Sequence, residues 1–180
     1  MTQIGVLVGN PRPASRTWHA ALALRDAVRQ VLDVPGDGPL VDAAEFAQEV
    51  FAPGGERVRA VLEELGRTDV LIVASPTYKA TYTGLLKAVL DQAPSGWLRG
   101  KVVVPLQVAA SDRHALAVEL HLRPLLVELG GRVAGQGIFL NESALTVSPV
   151  ELTAQLVELL DADALRALVP APIDTVSPVR

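Results

Sequence analysis

Short, almost purely aliphatic runs alternate with amphipathic stretches along the whole chain, and this alternation is the strongest constraint on its fold. Ile4–Val8, Val70–Ala74 and Lys101–Ala109 are the clearest apolar runs. A strand without a polar face has to be covered on both sides. Between these runs lie segments with helical spacing. Thr17–Leu32 sets Ala21, Leu24, Val28 and Leu32 on one face, and Glu56–Leu65 does the same with Val58, Val61, Leu62 and Leu65 before Gly66 stops it. Further helices are expected over Thr83–Gln92, Arg113–Leu129 and Val150–Leu168. A short strand at Leu40–Ala44 and a last strand at Arg132–Leu140 complete the series.

Strands joined by helical crossovers make a parallel sheet with helices on both faces. With five strands, the pattern predicts an α/β, flavodoxin-like doubly wound sheet of order 2-1-3-4-5, whose ligand lies at the carboxyl ends of the strands. Residues 1–168 are expected to form one such domain. Residues 169–180 carry three prolines and no helical pattern, so they are expected to form an extended tail.

Composition removes several classes of function. Sixteen Lys and Arg against twenty Asp and Glu leave no cationic excess, so nucleic acid is not an expected partner. The absence of cysteine excludes disulfides, Cys-ligated zinc, iron–sulfur clusters and a thiol nucleophile. No uncharged apolar stretch reaches the ~18 residues of a membrane span, and Met1–Arg16 lacks the basic start of a signal peptide. The expectation is a cytoplasmic protein with no membrane partner.

The loop after the first strand reads Gly9-Asn10-Pro11-Arg12-Pro13-Ala14-Ser15-Arg16-Thr17 and leads straight into a helix. Unpaired N–H groups and the dipole at a helix N-terminus attract anions. Hydroxyls of Ser15 and Thr17 and the guanidiniums of Arg12 and Arg16 add the donors that suit a phosphate monoester. The plainer alternative is that Ser15 only caps the helix and the arginines are solvated. The loop contains neither GxxxxGK[ST] nor GxGxxG, which argues against a P-loop and a dinucleotide fingerprint. After the third strand comes Ser75-Pro76-Thr77-Tyr78-Lys79-Ala80-Thr81-Tyr82-Thr83-Gly84, which holds both tyrosines of the chain. Such a loop offers backbone donors and an aromatic wall to a flat ring, or else a packed helix start.

Together the two loops resemble the NADPH-dependent FMN reductase family, whose first loop is of the type G-S-x-R-x-x-S. The family's second loop has Pro76, Tyr78, Gly84, Leu86, Lys87 and Asp91 at matching positions here. The stretches Ser75–Ala80, Thr83–Lys87 and Gly100–Leu106 are most similar to the reductases of alkanesulfonate monooxygenase systems. The resemblance implies that Asn10, Arg12, Ser15 and Thr17 bind the FMN phosphate, and the donor chemistry of the loop adds Arg16 to the expected set. The resemblance also implies that Pro76, Thr77, Tyr78 and Lys79 line the isoalloxazine, with Ala110 and Ser111 closing its other side. Asn10 stands where the family has serine, and Leu120 where some sulfonate-system members carry an inserted tyrosine. The implied activity is NAD(P)H-dependent reduction of FMN by hydride transfer, supplying reduced flavin to a partner monooxygenase. NADPH or NADH is the donor, the protein is a homodimer or homotetramer, and no side chain is named as a catalytic acid or base. The alternatives are a flavodoxin-like electron carrier, a non-catalytic flavin-binding module, and an FMN-dependent quinone, azo or chromate reductase.

The three histidines do not form a metal site by spacing. His114 and His121 are two helical turns apart, or ~10 Å along the axis, and His19 lies in another helix. All three are expected on helices away from the strand ends. Pro124 falls inside the fourth predicted helix, so a kink or π-bulge is expected over Leu120–Pro124.

Overall fold

All five residues of Ile4–Val8 (β1) are buried, as a strand covered on both faces requires. In the computed structural model, which describes residues 1–169, β1 pairs in parallel with Leu40–Asp42 (β2) and with Val70–Pro76 (β3). Val102–Ala109 (β4) follows β3, and every residue of β3 and β4 is buried. With Arg132–Val133 (β5) beside β4, the strand path is β2-β1-β3-β4-β5, the predicted order.

Alternation along each strand divides the core in two. Ile4, Val6, Val8, Ile72, Ala74, Leu106 and Val108 pack with Arg16–Leu32 (α1), Pro149–Leu159 (α5) and Ala162–Leu168 (α6). Leu7, Leu71, Val73 and Val103 pack on the other face with Glu56–Leu65 (α2), Gly84–Leu90 (α3) and Arg123–Glu128 (α4). Full burial of one such aliphatic side chain contributes roughly 1.5–3 kcal/mol, so the two-sided cover is where the strands' stability lies.

Four expectations are corrected. The second strand ends at Asp42, because the Asp42 side chain accepts a hydrogen bond from Ala44 N–H and starts a 3-10 turn over Ala43–Phe46. The last strand is split into Arg132–Val133 (β5) and Ile138–Asn141 (β6), both parallel to β4. Gly135, with φ +62°, makes the break, and two side chains hold it: Arg123 donates to the Gly135 carbonyl at 2.6 Å, and the Glu119 carboxylate accepts from Gly137 N–H. The last helix is likewise two, α5 and α6, because Asp161 caps a new start by accepting from Ala164 N–H at 2.9 Å. The fourth helix does not run unbroken from Arg113. It begins as a 3-10 turn over Asp112–His114, becomes a π-helix over Val118–Leu122 and is α-helical only over α4. The π segment ends at Leu122, two residues before Pro124, where the missing N–H requires a change of register. Val169 caps α6, while the rest of the expected tail, 170–180, lies outside the described residues.

Candidate functional site

The loops that follow β1, β3 and β4 leave the sheet at neighbouring carboxyl ends. Val8 lies opposite Ala74, and Pro76 opposite Val108. Gly9 N–H continues the ladder to the Ala74 carbonyl at 2.8 Å. Thr83 then ties the first two loops together. Its hydroxyl donates to the Gly9 carbonyl and accepts from Leu86 N–H at 3.1 Å, capping α3. A Cβ on Gly9 would stand 2.3 Å from Leu86 Cβ, so glycine is required here by the approach of α3 to the loop.

The first loop is shaped from within. Asn10 is buried, its Oδ1 accepting from Arg12 N–H at 3.0 Å and its Nδ2 donating to Thr17 Oγ1 at 3.4 Å. Both ends of the amide are thus turned onto the loop itself, as in an Asx turn. Ala14 follows with φ +47°, a left-handed conformation unusual for alanine. Ser15 is the N-cap of α1, its Oγ accepting from Trp18 N–H at 3.2 Å. Among the described residues, the backbone N–H groups of Ser15, Arg16 and Thr17 have no acceptor. Arg12 is exposed on this loop, and Arg16 pairs with Glu142 at 2.9 Å.

The second loop is a two-residue hairpin. Tyr78 and Thr81 form an antiparallel bridge, with Tyr78 N–H donating to the Thr81 carbonyl at 2.9 Å. Lys79 and Ala80 between them have φ +52° and +69°, the geometry of a type I′ turn built without glycine. Tyr78 is 45% exposed, so it is a surface wall and not a core residue. Pro76 ends β3 within the sheet. Thr77 N–H donates to the Val108 carbonyl at 2.7 Å, and Thr77 Oγ1 accepts from Gln107 Nε2 at 3.3 Å.

In the third loop Ala110 is exposed and Ser111 caps the 3-10 turn, accepting from Arg113 N–H at 3.4 Å. Asn141, at the end of β6, donates to Asp112 Oδ1 at 2.7 Å and fixes this loop from below. The predicted site residues therefore occupy three adjacent loops and the ends of β3 and α1 that border them. Two histidines are closer to those loops than expected: His19 Nδ1 is 2.9 Å from the Ser15 carbonyl, and His114 lies in the turn that begins three residues after β4. A helix that follows a strand in this fold starts at the strand's carboxyl end, so residues of its first turn belong to the rim.

Sequence reasoning missed Asp42, Thr83, Gln107 and Asn141. Asp42 is buried at the end of β2, and that burial pushes its carboxyl above the usual carboxylate value. Hydrogen bonds from Ala44 and Ala14 N–H act in the opposite direction. A signal existed for Asp42 and Asn141, since each is a polar residue ending an apolar strand. Gln107 sits in the middle of an apolar run, and nothing in its neighbours marked it.

The arrangement suits a phosphorylated ring compound. One loop carries free helix N-terminal donors with hydroxyls and arginine nearby, and the next carries an exposed tyrosine on a rigid turn. Comparison with known proteins agrees. The profile of the family described as NADPH-dependent FMN reductase matches residues 2–146. An FMN reductase (NADPH) of Escherichia coli (strain K12) is 34% identical over 145 residues, covering 76% of this chain and 72% of that protein. A shorter match, 36% over 83 residues, is to the NADH-dependent FMN reductase SfnF of Pseudomonas putida, covering 46% of this chain and 45% of that one. The solved apo form of an NADH:FMN oxidoreductase superposes with a TM-score of 0.77 at 29% identity, covering 97% of this chain and 94% of the other.

Proposed function

This chain belongs to the NADPH-dependent FMN reductase family, and from that premise we propose a reaction assigned to specific residues of the three loops. The protein is an oxidoreductase that uses NADPH or NADH to reduce FMN. The observation that carries the residue assignment is the set of free N–H groups at Ser15, Arg16 and Thr17, at the carboxyl end of β1. They fit the FMN phosphate by donor chemistry, and the hydroxyls of Ser15 and Thr17 and the guanidiniums of Arg12 and Arg16 add to them. Asn10 contributes by folding the loop around these donors.

When bound, FMN supplies the flavin ring that accepts hydride from the reduced nicotinamide. The chain's own part is placement. Tyr78 on its rigid turn, with Pro76, Thr77 and Lys79, walls one side of the ring. Ala110 and Ser111, held by Asn141 through Asp112, border the other side. The face left open admits the nicotinamide, and hydride transfer between stacked rings asks for donor and acceptor about 3–3.5 Å apart, not for a side-chain acid. The relatives' names divide between NADPH and NADH, and supply of reduced flavin to a monooxygenase is our reading of the resemblance to the sulfonate-system reductases. A cytoplasmic location fits a cysteine-free chain that consumes reduced nicotinamide.

Steady-state oxidation of NADPH and of NADH by the purified protein, with and without FMN, tests this reading. Oxidation that depends on FMN is expected with at least one of the two donors. FMN binding without nicotinamide oxidation would favour an electron carrier or a binding module instead.

A further inference from the structure

The least explained charge near the three loops is Asp42, which is 4% exposed and lies at the end of β2. Its register places it beside Val8, the last residue of β1, immediately before the first loop departs. Its two oxygens have separate partners. Oδ1 accepts from Ala44 N–H at 3.1 Å, which starts the local 3-10 turn. Oδ2 reaches across to Ala14 N–H, also at 3.1 Å, in the first loop.

The first bond alone does not explain an aspartate. Serine or asparagine caps a turn as well, without burying a charge. Here each N–H donor meets its own oxygen, and among side chains of this length only a carboxylate offers two acceptor oxygens. The second donor, moreover, sits at a strained position. Ala14 has φ +47° and directly precedes Ser15, the N-cap whose conformation aims the free N–H groups of residues 15–17. A charge-assisted bond across the strands is what keeps an alanine in that conformation.

We propose that Asp42 is a positioning residue of the first loop, clamping Ala14 so that the Ser15–Thr17 donors face a phosphate, and that it thereby sets selectivity for phosphorylated over unphosphorylated flavin. This rests on the reading of that loop as the FMN phosphate site. Asp42 does not touch the phosphate; its own charge would repel it, and it removes the Ala14 donor from the set that serves the anion.

The test measures dissociation constants for FMN and for riboflavin with the parent, Asp42→Ala and Asp42→Asn. The parent is expected to bind FMN more tightly than riboflavin. Both variants are expected to lose about tenfold in FMN affinity, the order of one charge-assisted bond, while riboflavin affinity stays within about twofold. An FMN-to-riboflavin ratio unchanged by the variants overturns the inference, as does an equal loss for both flavins, which would mean general damage. A parent without any preference for FMN overturns the phosphate-site reading itself, and the clamp with it. Should Asp42→Ala not fold, Asp42→Asn decides, since it keeps the volume and one of the two bonds.

Discussion

At the scale of single residues, the first loop separates groups that build the site from groups that are free to use it. Asn10, Ala14 and Thr17 are engaged with one another or with Asp42, whereas Arg12 is exposed and Arg16 is shared with Glu142. On the proposed reading, the phosphate would depend more on Arg12 than on Arg16. A hydrogen bond to a charged group contributes ~1.5–3 kcal/mol, so Arg12→Ala is expected to weaken FMN binding by tenfold or more. Arg16→Ala is expected to weaken it less, because its guanidinium already has a carboxylate partner. Fluorescence titration with FMN compares the two, and equal effects would show that Arg16 leaves Glu142 when the phosphate binds.

At the scale of elements, the second loop stores strain that the hairpin's bonds contain. Lys79 and Ala80 both occupy left-handed backbone, where a residue with a Cβ is disfavoured by roughly 1–2 kcal/mol. Ala80→Gly removes that penalty and adds less than ~1 kcal/mol of unfolded-state entropy cost. We expect a melting temperature unchanged or raised by a few degrees, with lower turnover because the Tyr78 wall is less rigid. Thermal denaturation and the nicotinamide assay on one preparation check both halves, and unchanged turnover would remove rigidity from the account. This element also marks where sequence reading stopped. The three central strands β1, β3 and β4 were legible because each is a nearly continuous aliphatic run, and the π segment because Pro124 cannot donate. The hairpin was not, since a turn at Lys79-Ala80 lacks the Asn-Gly signal that normally announces one. The breaks at Gly135 and Asp161 were hidden for a related reason. Both are set by side chains from elsewhere, Arg123 and Glu119 on the fourth helical segment, or by a cap inside an apolar stretch.

At the scale of the whole molecule, what remains is how chains associate. No helix among the described residues is long and apolar enough to cross a membrane. Scattered exposed leucines are ordinary. Leu116 and Leu120 are not scattered: they are four residues apart, one just before the π segment and one within it, and are 67% and 64% exposed. Val127 continues the apolar exposure along α4 at 53%. The segment also borders the site, because the turn that begins it carries Ser111 and Asp112. A second copy seated on this face would cover the leucines and brace the third loop at the same time. We therefore expect a homodimer or homotetramer, with light scattering at micromolar concentration giving a multiple of the 19.0 kDa chain mass. Leu120→Glu is expected to shift that mass towards the single chain, since a carboxylate in an apolar contact is uncompensated. A parent that scatters as 19.0 kDa would exclude the oligomer, and an oligomer indifferent to Leu120→Glu would move the interface off the fourth helical segment.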